Sequence, residues 1–336
     1  MIPDKPRKSQ FTGCLIGQCL GDALGMPAEG ANSRTCRRYL DEEVSRWFKG
    51  QEPPAGWTGQ YTDDSQLARE LLESLVVKSG FDPEDYSFRI AAIFDENRIV
   101  GQGLATAVAA QRLSSGIHWK QAGEPSPSAG NGTAMRVAPI GLYYWNDLEQ
   151  LSETAHLQGW ITHQDCRCSA GSVAIASTIS FLLSRQTFNT ADCVDFIATA
   201  ARPYHTEFAE LLRWLKEWIK FPPEEAIEYI GPAGRALDFR EDGWPGISPF
   251  VVPSVLWSLY AFLRHPDDYW RAIHVAIGAG GDVDTTAAMT GAVSGAWVGL
   301  EELPSHLTGR LNDMGTWRYS ELIDLSERCY HSVTSN

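Results

Sequence analysis

The sequence predicts an all-α fold, and three observations carry that prediction. Few segments alternate apolar and polar residues with period two, so strands are scarce. In most segments apolar residues recur at helical spacing. Glycines fall four apart near both ends of the chain, as Gly13, Gly17, Gly21 and Gly25 and again as Gly291, Gly295 and Gly299. In a helix that spacing lines them along one face. Each costs roughly 1 kcal/mol relative to alanine, so two matching stripes predict two helices packed closely together, joining the termini into one domain.

The totals exclude several function classes. The 336 residues are 43% hydrophobic and 21% charged, with 12 Trp, a globular composition. A formal charge of −14 and a pI near 5.0 argue against a general basic surface for nucleic acid. The polar start, Met1 to Lys8, has no following apolar leader core. No run of about 18 apolar residues is expected, hence no membrane span. Seven cysteines without a Cys-x-x-Cys pair fit neither a disulfide framework nor a zinc site, and a reducing cytoplasm is the simplest setting.

In chain order, residues 1–10 read as an extended or disordered tail and 11–330 as the domain. Residues 11–25 place Leu15, Ile16, Cys19, Leu20 and Ala23 at helical spacing, with Gln18 and Asp22 interrupting the apolar run. Glu29 lies in the loop that leaves this helix. Residues 36–50 read as a surface helix and 51–59 as a Pro- and Gly-rich loop. Leu67, Leu71, Leu72, Leu75 and Val76 give the next helix an apolar face. Helices follow over 83–98 and 103–113. Residues 116–132 read as one long loop feeding a helix over 133–141. Thr162-His163-Gln164-Asp165 precedes a small-residue helix over 169–183. Further helices cover 190–201, 206–220 and 250–264, with 267–277 leading on. Residues 242–250, containing Trp244, form a loop too stiff and aromatic for a linker.

Two acidic clusters stand out: Tyr61-Thr62-Asp63-Asp64-Ser65-Gln66 and Gly280-Gly281-Asp282-Val283-Asp284-Thr285-Thr286. Each opens a helical run. Asp, Ser and Thr are favoured N-caps, and an acidic first turn suits the helix dipole. Together the clusters also make a set of hard oxygen ligands suited to Mg²⁺, Mn²⁺ or Ca²⁺. The residues alone leave both readings open. At Gly130-Asn131-Gly132-Thr133, backbone amides can hold an anion such as a phosphate, or Asn131 or Thr133 can simply cap the helix. His163 reads as a cap, a core residue or part of a site.

As an ordered set, these motifs resemble the ADP-ribosylglycohydrolase family, which includes the dinitrogenase reductase-activating glycohydrolases. The resemblance rests on Gly13 to Gly25 with Glu29, Thr62-Asp63-Asp64-Ser65, Gly130-Asn131-Gly132-Thr133-Ala134-Met135-Arg136, Thr162-His163 and Gly281-Asp282-Val283-Asp284-Thr285. It implies one orthogonal helical domain whose cleft holds two divalent ions, Mg²⁺ or Mn²⁺. Thr62, Asp63, Asp64, Asp282, Asp284 and Thr285 would be the metal ligands, with Glu29 on a mobile loop reaching the metals or their water. Ser128, Gly130, Asn131, Gly132 and Thr133 would hold the diphosphate of ADP-ribose, and His163 would line the same cleft. Arg136 reads as a structural partner for a carboxylate. Ser65 replaces a common Thr but keeps its hydroxyl, and Val283 points away from the ligands. The Pro often seen after the His is missing. No aromatic precedes Gly130 to stack on adenine, so Trp244 and Trp57 are the candidates in its place.

The implied reaction is hydrolysis at C1 of the distal ribose, releasing ADP-ribose from a modified partner, most simply a protein. Glu29, Asp64 or water at the metals would handle the proton. A pair of glycosidase carboxylates with one kept protonated fits less well, because carboxylates on a divalent metal stay ionised. A non-catalytic ADP-ribose-binding or crystallin-like relative is disfavoured by oxygen-bearing side chains at all six ligand positions. A two-metal phosphoesterase would split ADP-ribose instead of releasing it whole.

Overall fold

The two glycine-striped helices set the architecture. The computed structural model describes residues 5–235 and 243–334. Its six longest helices are α1 (Lys8–Gly25), α2 (Asp63–Lys78), α3 (Cys166–Leu183), α4 (Val251–Arg264), α5 (Val283–Val298) and α6 (Tyr319–Thr334). α1 is buried from Gln10 to Gly25 and lies along α5. A Cβ on Gly13 would run into the Gly295 carbonyl, one on Gly17 into that of Gly291, and one on Gly21 into that of Ala287. At the end of the stripe a Cβ on Gly25 would lie 2.5 Å from Asp284 Cα. The expected pairing is therefore present, with Ala287 and Asp284 extending the contact beyond the second set of glycines. Close packing offsets the roughly 1 kcal/mol that each glycine costs its helix.

The fold is all-α. Among the described residues the only named strands are a two-residue parallel pair, Glu124–Pro125 with His163–Gln164. The first of these strands falls in the stretch expected to be one long loop, which also contains the short helix Trp119–Ala122. The pairing ties the loop to the His163 segment, and no local pattern announces it. The surface helix expected over 36–50 is Ser33–Tyr39, continued by a π turn at Leu40–Val44 and by Ser45–Phe48. α1 begins inside the expected tail, because the Arg7 amide donates to Gln10 Oε1 at 2.9 Å and starts the helix early. Residues 1–4 of that tail, and Asp242 of the aromatic loop, lie outside the described residues.

α3 corrects the expectation about apolar runs. With a mean hydropathy of 1.4 over 18 residues it is long and apolar enough to cross a membrane, yet 89% of it is buried inside this protein. Its Val173, Ile175, Ile179 and Leu182 belong to one core cluster that extends from Phe11 to Cys329.

Candidate active site

Both acidic clusters sit at helix N-termini, and both are reached from the last turns of α1. Asp22 of α1 caps α2 from outside: its oxygens accept from the Thr62 amide at 2.9 and 3.0 Å and from Thr62 Oγ1 at 3.0 Å. They also accept from the Ser65 amide at 3.2 Å and Ser65 Oγ at 2.7 Å. The capping role that sequence alone allows Asp63 and Asp64 is therefore filled by Asp22, and those two face a cavity. At α5, Gly280 and Gly281 have φ of 77° and 89°, a conformation that favours glycine. The turn they make brings Asp282 round so that its amide donates to the Ile247 carbonyl at 2.8 Å.

The cavity between these elements measures about 410 Å³, within the range of small-molecule sites. Glu29, Asp63, Asp64, Asp282, Asp284 and Thr285 form one wall, while Ser128, Gly130, Asn131, Gly132, His163 and Trp244 form the other. On the acidic wall, ligand oxygens of Glu29, Asp282 and Asp284 lie within 4.8 Å of one another. Asp63 Oδ2 accepts from the Gly103 amide at 3.3 Å, and Asp284 Oδ1 from the Thr285 amide at 2.9 Å. Asp64 Oδ1 is buried with no hydrogen-bond partner.

Among the described residues no Lys or Arg pairs with any of these carboxylates. Burial, then repulsion among neighbouring acids, holds Asp64 and Asp284 well above the usual carboxylate range. Burial does the same to Asp63. Glu29 at the exposed rim is raised by burial and by Asp282, and burial pushes Asp22 up to about 7. A buried acidic cluster with no countercharge is costly. A hard divalent cation would supply the charge and occupy the orphaned oxygen, so these residues fit Mg²⁺ or Mn²⁺.

The second wall is built from backbone. The Val251 amide donates to Ala129 O at 3.0 Å and the Asn131 amide to Pro249 O at 2.8 Å. Arg167 grips Asp165 with contacts of 2.9 and 2.7 Å and donates to Pro127 O at 3.1 Å, while Ser126 Oγ donates to Asp165 at 2.9 Å. So fixed, the loop leaves the amides of Gly130, Gly132 and Thr133 without protein acceptors among the described residues. The His163 ring packs beneath it, and a Cβ on Gly132 would lie 2.9 Å from His163 Cε1.

Most of the expected site residues meet at this cavity, but not all. Thr62 stands behind it, its hydroxyl 3.0 Å from both Asp22 and Asp64. The Thr133 hydroxyl turns away and donates to Cys168 O at 3.1 Å. Trp57 is buried elsewhere, donating from Nε1 to Ala23 O at 3.0 Å, whereas Trp244 does line the cavity. Arg136 pairs with no carboxylate among the described residues and donates instead to Gln158 and Thr162. Sequence reading missed Asp22 as the cap. It also missed Gln18, which donates to Asp64 O at 3.1 Å and Met135 O at 2.8 Å and so bridges the two walls. Two polar residues four apart on an otherwise small and apolar helix were the available signal. The segment from Gly101 to Thr106, also on the cavity, carried none.

Comparison with known proteins bears on this geometry. A family model described as ADP-ribosylglycohydrolase matches residues 3–336. The chain is 31% identical over 289 residues to an uncharacterized protein of Archaeoglobus fulgidus, covering 86% of this chain and 88% of that one. It is 30% identical to the ADP-ribosylhydrolase ARH3 of Gallus gallus, covering 89% of this chain and 88% of that one. Among solved structures it is similar to an ADP-ribosylglycohydrolase-related protein complex, with a TM-score of 0.70, 25% identity, and coverage of 98% and 99%.

Proposed function

The chain belongs to the ADP-ribosylglycohydrolase family, and on that premise we propose that it hydrolyses ADP-ribosylated substrates at C1 of the distal ribose, using divalent metal. The observation that carries the reading is the unpaired acidic wall facing a wall of free amides across one cavity. Asp63, Asp64, Asp282, Asp284 and Thr285 would hold Mg²⁺ or Mn²⁺, with Thr62 orienting Asp64 from behind. When bound, such ions lower the pKa of water and hold substrate oxygens in a reactive geometry.

The chain's own residues do the rest. Glu29 sits at the exposed rim, its carboxyl raised above the usual range by burial and by Asp282, which suits it to take and return a proton. Asp64 is the second candidate for that proton. The amides of Gly130, Gly132 and Thr133, with Ser128 and His163, offer donors to the diphosphate, while Asn131 spends its own donors on Pro249, Ser254 and Asp282 and holds the loop in place. Trp244 offers an aromatic surface for the adenine. Positive charge then develops at C1 beside the acidic wall, which orients the ribose and stabilises that charge.

A release assay tests this. Targets ADP-ribosylated on arginine and, separately, on serine are incubated with the protein in Mg²⁺ or Mn²⁺ and then in EDTA. The expected result is metal-dependent release of intact ADP-ribose from one of them. The double variant Asp63→Asn with Asp282→Asn should lose that activity while keeping its helical circular dichroism. Release of AMP and ribose phosphate, or full activity in the double variant, would overturn the proposal.

A further inference from the structure

We propose that Arg136 and Thr162 are positioning residues: they hold His163 with Nδ1 as acceptor, so that its Nε2–H is a fixed donor aimed into the cavity at an anionic oxygen of the ligand. The identity of that ligand rests on the functional reading above, whereas the orientation of the ring does not.

Arg136 is fully buried, and its guanidinium donates from Nε to Gln158 Oε1 at 3.0 Å and from Nη2 to Gln158 O at 3.1 Å. Nη2 also donates to Thr162 Oγ1 at 2.7 Å. A guanidinium has no lone pair to accept with, so at this contact the threonine oxygen is the acceptor. Its single hydrogen then has two destinations, His163 Nδ1 at 2.8 Å or Gly159 O at 3.5 Å. The shorter contact wins on geometry. The cation on the far side of the oxygen also polarises the hydroxyl into a better donor.

With Nδ1 accepting, a neutral imidazole carries its hydrogen on Nε2. The ring is neutral: burial, reinforced by the Arg136 charge, pushes the His163 pKa down to about 3. His163 is only 3% exposed, lines the cavity, and has no Nε2 partner among the described residues. A buried polar group without a protein partner points to a ligand. Nε2 would lie 3.1 Å from a Cβ on Gly130, which puts the donor beside the loop that presents the free amides.

Arg136 supports the same conclusion. A guanidinium kept in the interior without an ion pair is expensive, and its Nη1 is buried with no hydrogen-bond partner among the described residues. If it served only to tie Gln158 in place, a neutral donor would suffice. Its charge, which also faces the Tyr86 ring at 5.8 Å, polarises Thr162 and adds to the burial that keeps His163 neutral.

Long-range ¹⁵N–¹H NMR of the full chain distinguishes the two imidazole tautomers directly. The wild type should show His163 as the Nε2–H form throughout pH 5–8. Thr162→Val should lose that signature and weaken binding of ADP-ribose about tenfold, the weight of one hydrogen bond to a charged group. Thr162→Ser should restore both. An Nδ1–H signature in the wild type would overturn the proposal, as would unchanged ADP-ribose affinity in Thr162→Val. If the wild type binds no ADP-ribose, the functional reading falls, and the tautomer signature still decides the role of Arg136 and Thr162.

Discussion

The two walls of the cavity are built on opposite principles. The acidic wall is made of side chains at the N-termini of α2 and α5, α5 fixed by a backbone-to-backbone seam with α1 and α2 by the hydrogen bonds that Thr62 and Ser65 donate to Asp22 of α1. The facing wall is made of amides, glycines and one neutral imidazole, fixed by contacts between loops distant in sequence. The first wall's chemistry lies in residue identity. That of the second lies in which way a group of ordinary residues has been turned. A carboxylate cluster can be recognised before its surroundings are known, whereas a free amide exists only once every competing acceptor has been placed.

Cutting the seam should produce the largest effect, because α1 packs along α5 and carries both Asp22, which caps α2, and Gln18, which donates to Asp64 O and Met135 O. A Cβ on Gly17 enters the Gly291 carbonyl, with no flexible side chain able to yield. Gly17→Val should therefore cost about 3 kcal/mol or more in urea unfolding. Gly56→Ala, where an added Cβ meets nothing within 4 Å, is the control and should change little. Equal stability of the two variants would remove the seam from the account.

Asp22→Asn separates the walls. An amide nitrogen would face donors now satisfied by a carboxylate, the Thr62 amide at 2.9 Å and Ser65 Oγ at 2.7 Å. The start of α2 should loosen, and metal affinity should fall by about 10- to 100-fold, as for other residues that orient ligands. ADP-ribose binding at saturating metal should suffer far less. An equal loss of both would mean that the walls act as one unit.

Much of the first wall was legible in the sequence. Asp63, Asp64, Asp282 and Asp284 are uncommon as paired clusters, and glycine stripes are hard to explain except by close helix contact. The residues behind that wall were not legible, because the role of Asp22 depends on α2 starting beside it. On the second wall, the motif pointed to Ser128, Gly130, Asn131, Gly132 and His163, and all five line the cavity. Thr133 adds an amide without a protein acceptor among the described residues, while its hydroxyl is drawn away to the carbonyl of Cys168. Trp57 and Trp244 are equally aromatic in sequence, and only the fold distinguishes the one held at Ala23 from the one on the cavity. The helix of α3 was legible and its setting was not, because an apolar run reads the same in a core as in a membrane.

How dry the second wall is can be read from pH. The folded pKa of His163 is depressed to about 3, against an ordinary value of 6.5. Its contribution to stability is therefore complete above about pH 6.5 and is lost as pH falls towards 3, since only the unfolded chain takes up the proton in that window. Relative to His163→Asn, the wild type should lose about 2 kcal/mol of unfolding free energy between pH 7 and pH 5. A flat difference would show that water reaches the ring.

The smallest expected effect lies where the walls touch. Asn131 belongs to the second wall by its backbone, pinned to Pro249 O at 2.8 Å, and to the first by its side chain, which donates to Asp282 at 2.6 Å and to Ser254 Oγ at 2.9 Å. Asn131→Ala removes the side-chain contacts and leaves the backbone contact in place. Asp282 then loses a neutral donor, which should raise the metal concentration needed for half-maximal thermal stabilisation by about tenfold. Because the loop is still held by its own amide, ADP-ribose affinity measured at saturating Mn²⁺ should return to within about twofold of wild type. If saturating metal fails to restore it, the Asn131 side chain acts on the ligand itself, and the boundary between the two walls runs through Asp282 instead of beside it.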